Sequence, residues 1–247
     1  YFVKNKKYFK KYESKIIHQI IKDTPFYYTD LVEMKPKNEL HSMVIDAAEN
    51  AYWLDVEKEV HFFRDNYEKE ATLMGVNSLN PDNIIIFGDC DEIPKASVVK
   101  DIINNFDPNQ VYQLQHNVYS YYLNVWKTNE PWYGNIIMSF GKRKEISLCK
   151  ARQFKTGIKV ENAGWHFTFM GGTDVIRQKL ESYSHQEFNL DQVKDSVEYR
   201  INNFVQTGED ALGRPSNFIV CDINDGTFPK YLVENQSQFE KCIARNK

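Results

Sequence analysis

The sequence predicts an α/β fold in which helices flank a mixed, mostly parallel sheet. Residues 84–87 form a compact apolar run, Ile-Ile-Ile-Phe, as expected for a central strand covered on both faces. Such runs alternate along the chain with segments whose apolar residues recur every three or four positions, which is typical of helices packed on a sheet. The 247 residues suffice for a large buried core, and no linker stands out. We therefore expect one domain over residues 1–247.

The predicted elements follow in chain order. β-branched residues favour a short strand over 16–21, and the apolar spacing of Trp53, Val56 and Val60 favours a helix over 46–75. After the strand at 84–87 comes a helix that begins beyond Pro94. The remaining predictions are strands over 111–119, 136–140 and 165–169, a helix carrying Ile176 and Leu180, and a helix carrying Val193, Val197 and Ile201.

The composition excludes several classes of protein. A formal net charge of −3 gives no global electrostatic case for binding nucleic acid, and we interpret the basic and aromatic residues 1–15 as a solvated leading segment. No apolar run approaches the roughly 20 residues of a membrane span. Cys90, Cys149, Cys221 and Cys242 lie far apart without a CxxC pair, which argues against a zinc ribbon and favours reduced thiols.

Three carboxylates directly follow the apolar run at 84–87. Asp89, Asp91 and Glu92 are therefore expected at the carboxyl end of a strand, which is where ligands bind in open α/β sheets. Charges crowded beside an apolar strand are costly unless something neutralises them, and carboxylate oxygens suit Mg²⁺ or Mn²⁺. The alternative is an acidic loop that stabilises the start of the next helix.

Two classes of enzyme use carboxylates in this way. One is the metal-dependent nucleotide-sugar glycosyltransferase. The other is the haloacid-dehalogenase-like phosphatase, whose first Asp is a nucleophile and whose second Asp is a general acid. The phosphatase motif requires Thr or Val where this chain has Ile93, and Asp222 and Asp225 are poor candidates for its late acidic pair.

A second set of polar residues and glycines begins two thirds of the way along the chain. Gly171 and Gly172 permit close approach of the backbone to a ligand, and His166 could bind a metal ion or a diphosphate. His185 and Glu187 are expected at a helix end, where a carboxylate could act as a general base. For either histidine, a structural role is the alternative.

These segments resemble motifs of glycosyltransferase family 17, whose known members are the β-1,4-mannosyl-glycoprotein 4-β-N-acetylglucosaminyltransferases that add bisecting GlcNAc. Residues 89–94, Asp-Cys-Asp-Glu-Ile-Pro, resemble its DVDEIP motif, with Cys90 in place of Val. Residues 164–187 resemble its second block in order and spacing. The other resembling segments are Pro131-Trp132 with Gly134, residues 208–214 and residues 228–232, so the resemblance covers about residues 80 to 235.

The resemblance implies a GT-A-like, Rossmann-like fold and inverting transfer of a sugar to a glycan hydroxyl with release of UDP. The implied donor is a UDP-sugar, with UDP-GlcNAc as the first choice. The resemblance also implies that Asp89 and Asp91 bind Mn²⁺ or Mg²⁺, with His166 completing the metal or diphosphate shell. Glu187 is the first candidate for the base and Asp210 the second. The expected donor-binding residues are Asp89, Trp132, Gly171, Gly172, His185 and Arg214.

The remaining expectations concern the start of the chain, its compartment and the alternative functions. The family's upstream segment, expected to hold the first strand of the sheet, is not visible before Tyr1, so either the chain is trimmed or this member is shorter. We expect a cytoplasmic enzyme, with the Golgi lumen as the alternative if an anchor was removed upstream. The aromatic content of 14% also fits a non-catalytic carbohydrate-binding module, which remains the alternative function beside the phosphatase. The acceptor glycan and the oligomeric state are not predicted.

Overall fold

The computed structural model describes residues 7, 9–18, 20, 42–46, 60–76, 78–153 and 157–245. The chain divides into two units, residues 1–79 and residues 80–247, and each is described by itself. One domain over residues 1–247 stays a prediction. Within the described residues, no helix combines the length and the apolar character needed to cross a membrane.

The first unit is helical where it is described. Lys10–Lys15 form a 3-10 helix, residues 42–46 are helical, and α1 (Val60–Ala71) continues into a 3-10 helix over Thr72–Val76. The predicted helix over 46–75 is thus confirmed in its second half, whereas Trp53 and Val56 lie outside the described residues.

The predicted strand over 16–21 is wrong where it can be compared. Residues 16–18 and 20 have no regular secondary structure, and Gln19 and Ile21 lie outside the described residues. Ile17 and Ile20 are exposed. β-branched residues favour strands where their side chains are at least half buried, and these two side chains are largely exposed.

The second unit is built on a six-stranded mixed sheet. Its strands are β1 (Ile84–Phe87), β2 (Glu92–Pro94), β3 (Tyr112–Ser120), β4 (Val125–Ser139), β5 (Ile158–Thr168) and β6 (Phe218–Val220). The strand order is β1-β4-β3-β5-β2, and β6 pairs with β4. The helices are α2 (Ala96–Asn104), α3 (Leu148–Gln153), α4 (Thr173–Ser182), α5 (Asp191–Thr207) and α6 (Lys230–Glu234). The α/β class, with helices flanking a mixed sheet, is confirmed and is consistent with a Rossmann-like fold.

The predicted mostly parallel arrangement is not confirmed. Among the described strands only β3 and β5 pair in parallel, whereas the other four pairings are antiparallel. For one of these pairings the reason is the short connection between β3 and β4, which comprises residues 121–124. A parallel pair needs a crossover of about a dozen residues or more. Four residues therefore permit only the antiparallel pairing of β3 with β4.

β1 also differs from its predicted place. The apolar run at 84–87 was expected to form a central strand, but within the described part of the chain it pairs with β4 alone. Ile86 is accordingly 47% exposed. A short apolar run indicates a strand, but it does not distinguish a central strand from an edge strand.

Apolar clusters fix the helices against the sheet. α2 buries Ile102 against Tyr112, Leu114 and Ile137 of β3 and β4. α4 and α5 bury Ile176, Leu180, Val193, Val197 and Ile201 in a cluster that includes Tyr121 and Phe169. The three helices predicted from apolar spacing in this unit are therefore confirmed, together with the faces that they bury.

Gly164 lies where β5 passes between β2 and β3, and it leaves no room for a side chain. A Cβ atom there would clash with the carbonyl oxygen of Ile93 and lie 2.7 Å from His116 Cδ2. We predict that Gly164→Ala lowers the free energy of unfolding by about 2 kcal/mol, because backbone atoms cannot move aside cheaply. Urea denaturation measures this change.

Gly226→Ala is the matched control. Gly226 has a φ of +84°, but a Cβ atom there meets no described atom within 4 Å. Only the backbone conformation is strained, so the expected cost is about 1 kcal/mol. Equal costs for the two variants would contradict the steric explanation at Gly164.

Candidate active site

One row of paired residues crosses the sheet beside the predicted aspartates. Lys127 of β4 pairs with Val118 of β3, Val118 pairs with His166 of β5, and His166 pairs with Glu92 of β2. Directly paired residues on neighbouring strands project from the same face of a sheet. The sheet therefore presents Glu92, His166 and Lys127 on one face.

Glu92 is the best-connected side chain on this face. Its carboxylate accepts hydrogen bonds from Trp132 Nε1 (2.5 Å), from Arg152 Nη2 (2.6 Å) and from the backbone N–H of Asp89 (2.9 Å). The carboxylate lies against Gly134, where a Cβ atom would be 2.5 Å from Glu92 Oε1. Burial raises the pKa of Glu92, and the charge of Arg152 opposes that rise. Glu92 thus joins β2, β4, α3 and the turn before β2.

Asp89 is bound by the same guanidinium group. Arg152 Nη2 lies 2.6 Å from Asp89 Oδ2, and the side chain of Asp89 is 42% exposed. The sequence analysis did not single out Arg152, because 63 residues separate it from Asp89 and no helix was predicted over α3. Asp89 therefore lies at the rim of the site with one oxygen already engaged.

Asp91 faces two cationic or potentially cationic side chains. Its Oδ2 atom lies 3.6 Å from His166 Nε2 and 3.8 Å from Lys179 Nζ, and its side chain is 29% exposed. Burial alone would raise the pKa of Asp91, but the contact with His166 and the charge of Lys179 outweigh it and hold the pKa below the usual value. Asp91 is thus an ionised carboxylate at the rim. Lys179 lies in the second motif block but was not among the predicted site residues.

Trp132 and His166 form a tilted pair of rings. Their ring centroids are 4.8 Å apart with an interplanar angle of 32°, and the indole N–H of Trp132 is bonded to Glu92. His166 Nδ1 is buried and has no hydrogen-bond partner among the described residues. The structure therefore brings together Asp89, Asp91, Trp132 and His166, four of the predicted site residues.

Asp210 lies at the centre of a separate group of charges. Its Oδ2 atom accepts hydrogen bonds from Lys127 Nζ (3.0 Å) and Arg214 Nε (2.8 Å), and its Oδ1 atom accepts from the backbone N–H groups of Leu212 and Arg214. Glu130 pairs with the same lysine. Burial opposes ionisation of Asp210, but Arg214 and Lys127 outweigh it and lower the pKa. Asp210 is 1% exposed, so this carboxylate is enclosed and fully bonded.

Glu187 has the opposite environment. It lies in a 3-10 helix over Gln186–Phe188, and its Oε1 atom is 2.8 Å from His185 Nδ1. Both side chains are 48% exposed. Burial raises the pKa of the neighbouring Tyr183, and the charges of Glu187 and Asp210 raise it further. Tyr183 therefore lies within electrostatic reach of both candidate bases.

Gly171 and Gly172 make the turn from β5 into α4. Their φ angles are +96° and +81°, a region that favours glycine, and Gly172 precedes the first residue of α4. This turn directs α4, with Lys179, back toward Asp91. Contact of the two glycines with a donor stays a prediction.

The predicted metal ligands can be compared with the ligands that a divalent ion requires. Among the described residues, no group of three or more His, Cys, Asp and Glu side chains could enclose a metal ion. Mg²⁺ is, however, commonly held by one or two carboxylates together with substrate phosphates. Asp89 and Asp91, two partly exposed carboxylates at the rim, fit that second mode.

Two further observations concern side chains outside the candidate site. In the described part of the chain, no disulfide joins Cys90, Cys149, Cys221 and Cys242. Trp165 belongs to the core, where it packs with Tyr119, Phe228 and Leu232 and donates from Nε1 to the carbonyl oxygen of Thr227.

The fold and the site together define an α/β protein with two partly exposed carboxylates, Asp89 and Asp91, near the ring pair of Trp132 and His166. The family model of glycosyltransferase family 17 matches residues 1–243. The chain belongs to glycosyltransferase family 17 and is a glycosyltransferase, as the motifs predicted. Membership favours this function over the carbohydrate-binding module and the phosphatase. Searches of curated proteins and of solved structures found no significant match.

The stability of the fold is expected to depend on pH through His116. This side chain is fully buried, and neither ring nitrogen has a hydrogen-bond partner among the described residues. Burial, followed by the charges of His166 and Arg152, lowers the pKa of His116 to about 4. Because the unfolded chain binds the proton more readily, stability is full above pH 6.5 and falls as the pH drops toward 4, by about 3 kcal/mol.

Denaturation at pH 7 and at pH 4.5 measures the effect. The loss of stability between the two pH values should be smaller in His116→Gln, whereas the exposed His18→Gln control should lose as much as the unmodified chain. An undiminished loss in His116→Gln would show that His116 is not the group responsible.

Proposed function

We propose that this glycosyltransferase moves a sugar from a UDP-sugar donor, UDP-GlcNAc as the first choice, to a glycan hydroxyl and releases UDP. The observation that carries the proposal is the position of Asp91, an ionised carboxylate at the rim beside the ring pair of Trp132 and His166. The diphosphate of a nucleotide is negatively charged, and a cation bound by the carboxylates at this rim would hold it there. Its uracil and sugar rings have flat faces suited to Trp132.

The proposed metal ligands are Asp91 and, in a lesser role, Asp89. His166 lies next to Asp91. Mn²⁺ or Mg²⁺ bound there supplies positive charge next to the departing diphosphate. The pairing of Asp89 with Arg152 supports a lesser role for Asp89, since one of its oxygens is already engaged. The buried Glu92 is better suited to orienting this group than to binding an ion.

Inversion at the anomeric carbon requires one displacement and one base that removes the proton of the acceptor hydroxyl. We assign that base to Glu187, because its carboxylate is half exposed and His185 lies within hydrogen-bond distance of it. Asp210 is less suitable, because its two oxygens already accept hydrogen bonds in a buried site. Arg214 is correspondingly engaged by Asp210, although its exposed edge leaves it available to a phosphate.

We predict that UDP release from UDP-GlcNAc requires a divalent cation and Asp91. EDTA should stop the reaction, Mn²⁺ should restore it, and Asp91→Asn should lower the rate by about 100-fold or more, because charge developing on the leaving group is no longer compensated. A coupled assay for free UDP measures the rate. Asp82→Asn, at an exposed turn, is the control of equal charge and should retain the activity. Unchanged turnover in EDTA would contradict the metal role.

A second prediction separates the two candidate bases. Glu187→Gln should lose turnover but keep both its affinity for UDP and its melting temperature, since the side chain is half exposed. Asp210→Asn should instead lower the free energy of unfolding by about 3 kcal/mol, because Lys127 and Arg214 lose their buried counter-ion.

Calorimetry, UDP binding and the UDP-release assay report the three quantities. Glu181→Gln, also exposed, is the control for Glu187 and should remain active. The assignment of the base fails if Glu187→Gln turns over normally. It also fails if Asp210→Asn is inactive at unchanged stability.

A further inference from the structure

We propose that Lys179 is a donor-binding residue whose ammonium group contacts the diphosphate of the bound nucleotide. The inference rests on the proposed function and adds a residue that neither the motifs nor the family assignment gives a role. It follows from where α4 places this side chain and from what the ammonium group contacts.

Lys179 is directed to the site by the turn that ends β5. Gly171 and Gly172 reverse the chain, and α4 then returns along the end of the strand. From α4, the Lys179 ammonium group donates to Thr168 Oγ1 at 3.2 Å and lies 5.0 Å from the centre of the Phe169 ring. Both partners are at the end of β5, so the side chain is anchored beside the rim.

Lys179 is far enough from Asp91 to bind a second anion as well. Lys179 Nζ is 3.8 Å from Asp91 Oδ2, which is an ion pair beyond hydrogen-bond distance. An ammonium group has three N–H donors, and Thr168 accepts from one of them. The Lys179 side chain is 35% exposed, so solvent or a ligand can reach the remaining donors.

Anchoring also lowers the cost of binding. A lysine loses rotamer freedom when its ammonium group is fixed, up to about 2 kcal/mol. Here the contacts with Thr168 and Phe169 restrict the side chain before any ligand arrives. A diphosphate bound through a cation at Asp91 would therefore meet a second, preorganised positive charge.

Isothermal titration with UDP, in the presence of Mn²⁺, tests the inference. Lys179→Met should weaken UDP binding roughly tenfold to a hundredfold, the range expected for a hydrogen bond to a charged group. Lys179→Arg, which keeps the charge, should recover most of the affinity. Uridine, which lacks phosphates, should bind Lys179→Met as it binds the unmodified protein.

Lys95→Met is the matched control. Lys95 likewise lies over an aromatic ring, 5.5 Å from the centre of the Trp165 ring, and donates to one side-chain oxygen, Asn162 Oδ1, at 2.7 Å. Both variants remove one lysine with equivalent contacts, but only Lys179 lies beside Asp91. UDP affinity should be unchanged in Lys95→Met.

The outcomes are distinguishable. If the unmodified protein does not bind UDP with Mn²⁺, the proposed function and this inference both fail. If the unmodified protein binds UDP and Lys179→Met binds it equally well, only the inference fails. Parallel losses of UDP and uridine binding in Lys179→Met would overturn the inference as well, because they would show that Lys179 supports the fold and not the diphosphate.

Discussion

The arrangement of the site depends on the contacts that the buried carboxylate of Glu92 makes. Transferring a carboxylate out of water is costly unless donors replace the lost hydration. Arg152, Trp132 and the backbone N–H of Asp89 supply those donors, and each belongs to a different segment of the second unit. Loss of the carboxylate would therefore remove one of the two carboxylates that pair with the buried guanidinium group of Arg152, and the acceptor of the Trp132 indole N–H.

This contact also explains why the two aspartates of one short motif have different environments. Asp89 is drawn toward Arg152, which already binds Glu92, whereas Asp91 points to His166 and Lys179 at the rim. Trp132 donates its indole N–H to Glu92, and its ring lies against that of His166. A single buried anion thus holds Trp132 directly and Asp89 through Arg152.

The elements that local pattern determines could be predicted from the sequence. Apolar spacing is sufficient to identify α2, α4 and α5, since each helix buries one stripe, and the run at 84–87 identifies β1 as a strand. Strand direction could not be predicted, because it depends on which strands meet and how they are connected. The polar residues Asn129 and Glu130 and the following Pro131 also conceal the first half of β4, which the structure shows as one strand from Val125 to Ser139.

The candidate site was predictable where a motif supplies the residues. Asp89, Asp91, Trp132 and His166 come from three separate segments, and they do lie together. Arg152 and Lys179 were missed because their importance arises from tertiary contacts with a motif 60 to 90 residues away. The motifs ranked Glu187 before Asp210 only by its place in the second block; burial and hydrogen bonding, which the sequence does not show, distinguish the half-exposed carboxylate from the enclosed one.

The most direct test of the account is a crystal structure grown with UDP and Mn²⁺, with the ion located by its anomalous scattering. The account predicts an anomalous peak in contact with Asp91, with the diphosphate between that ion and Lys179. A peak and a diphosphate bound elsewhere, with Asp91 still paired only to His166 and Lys179, would contradict it.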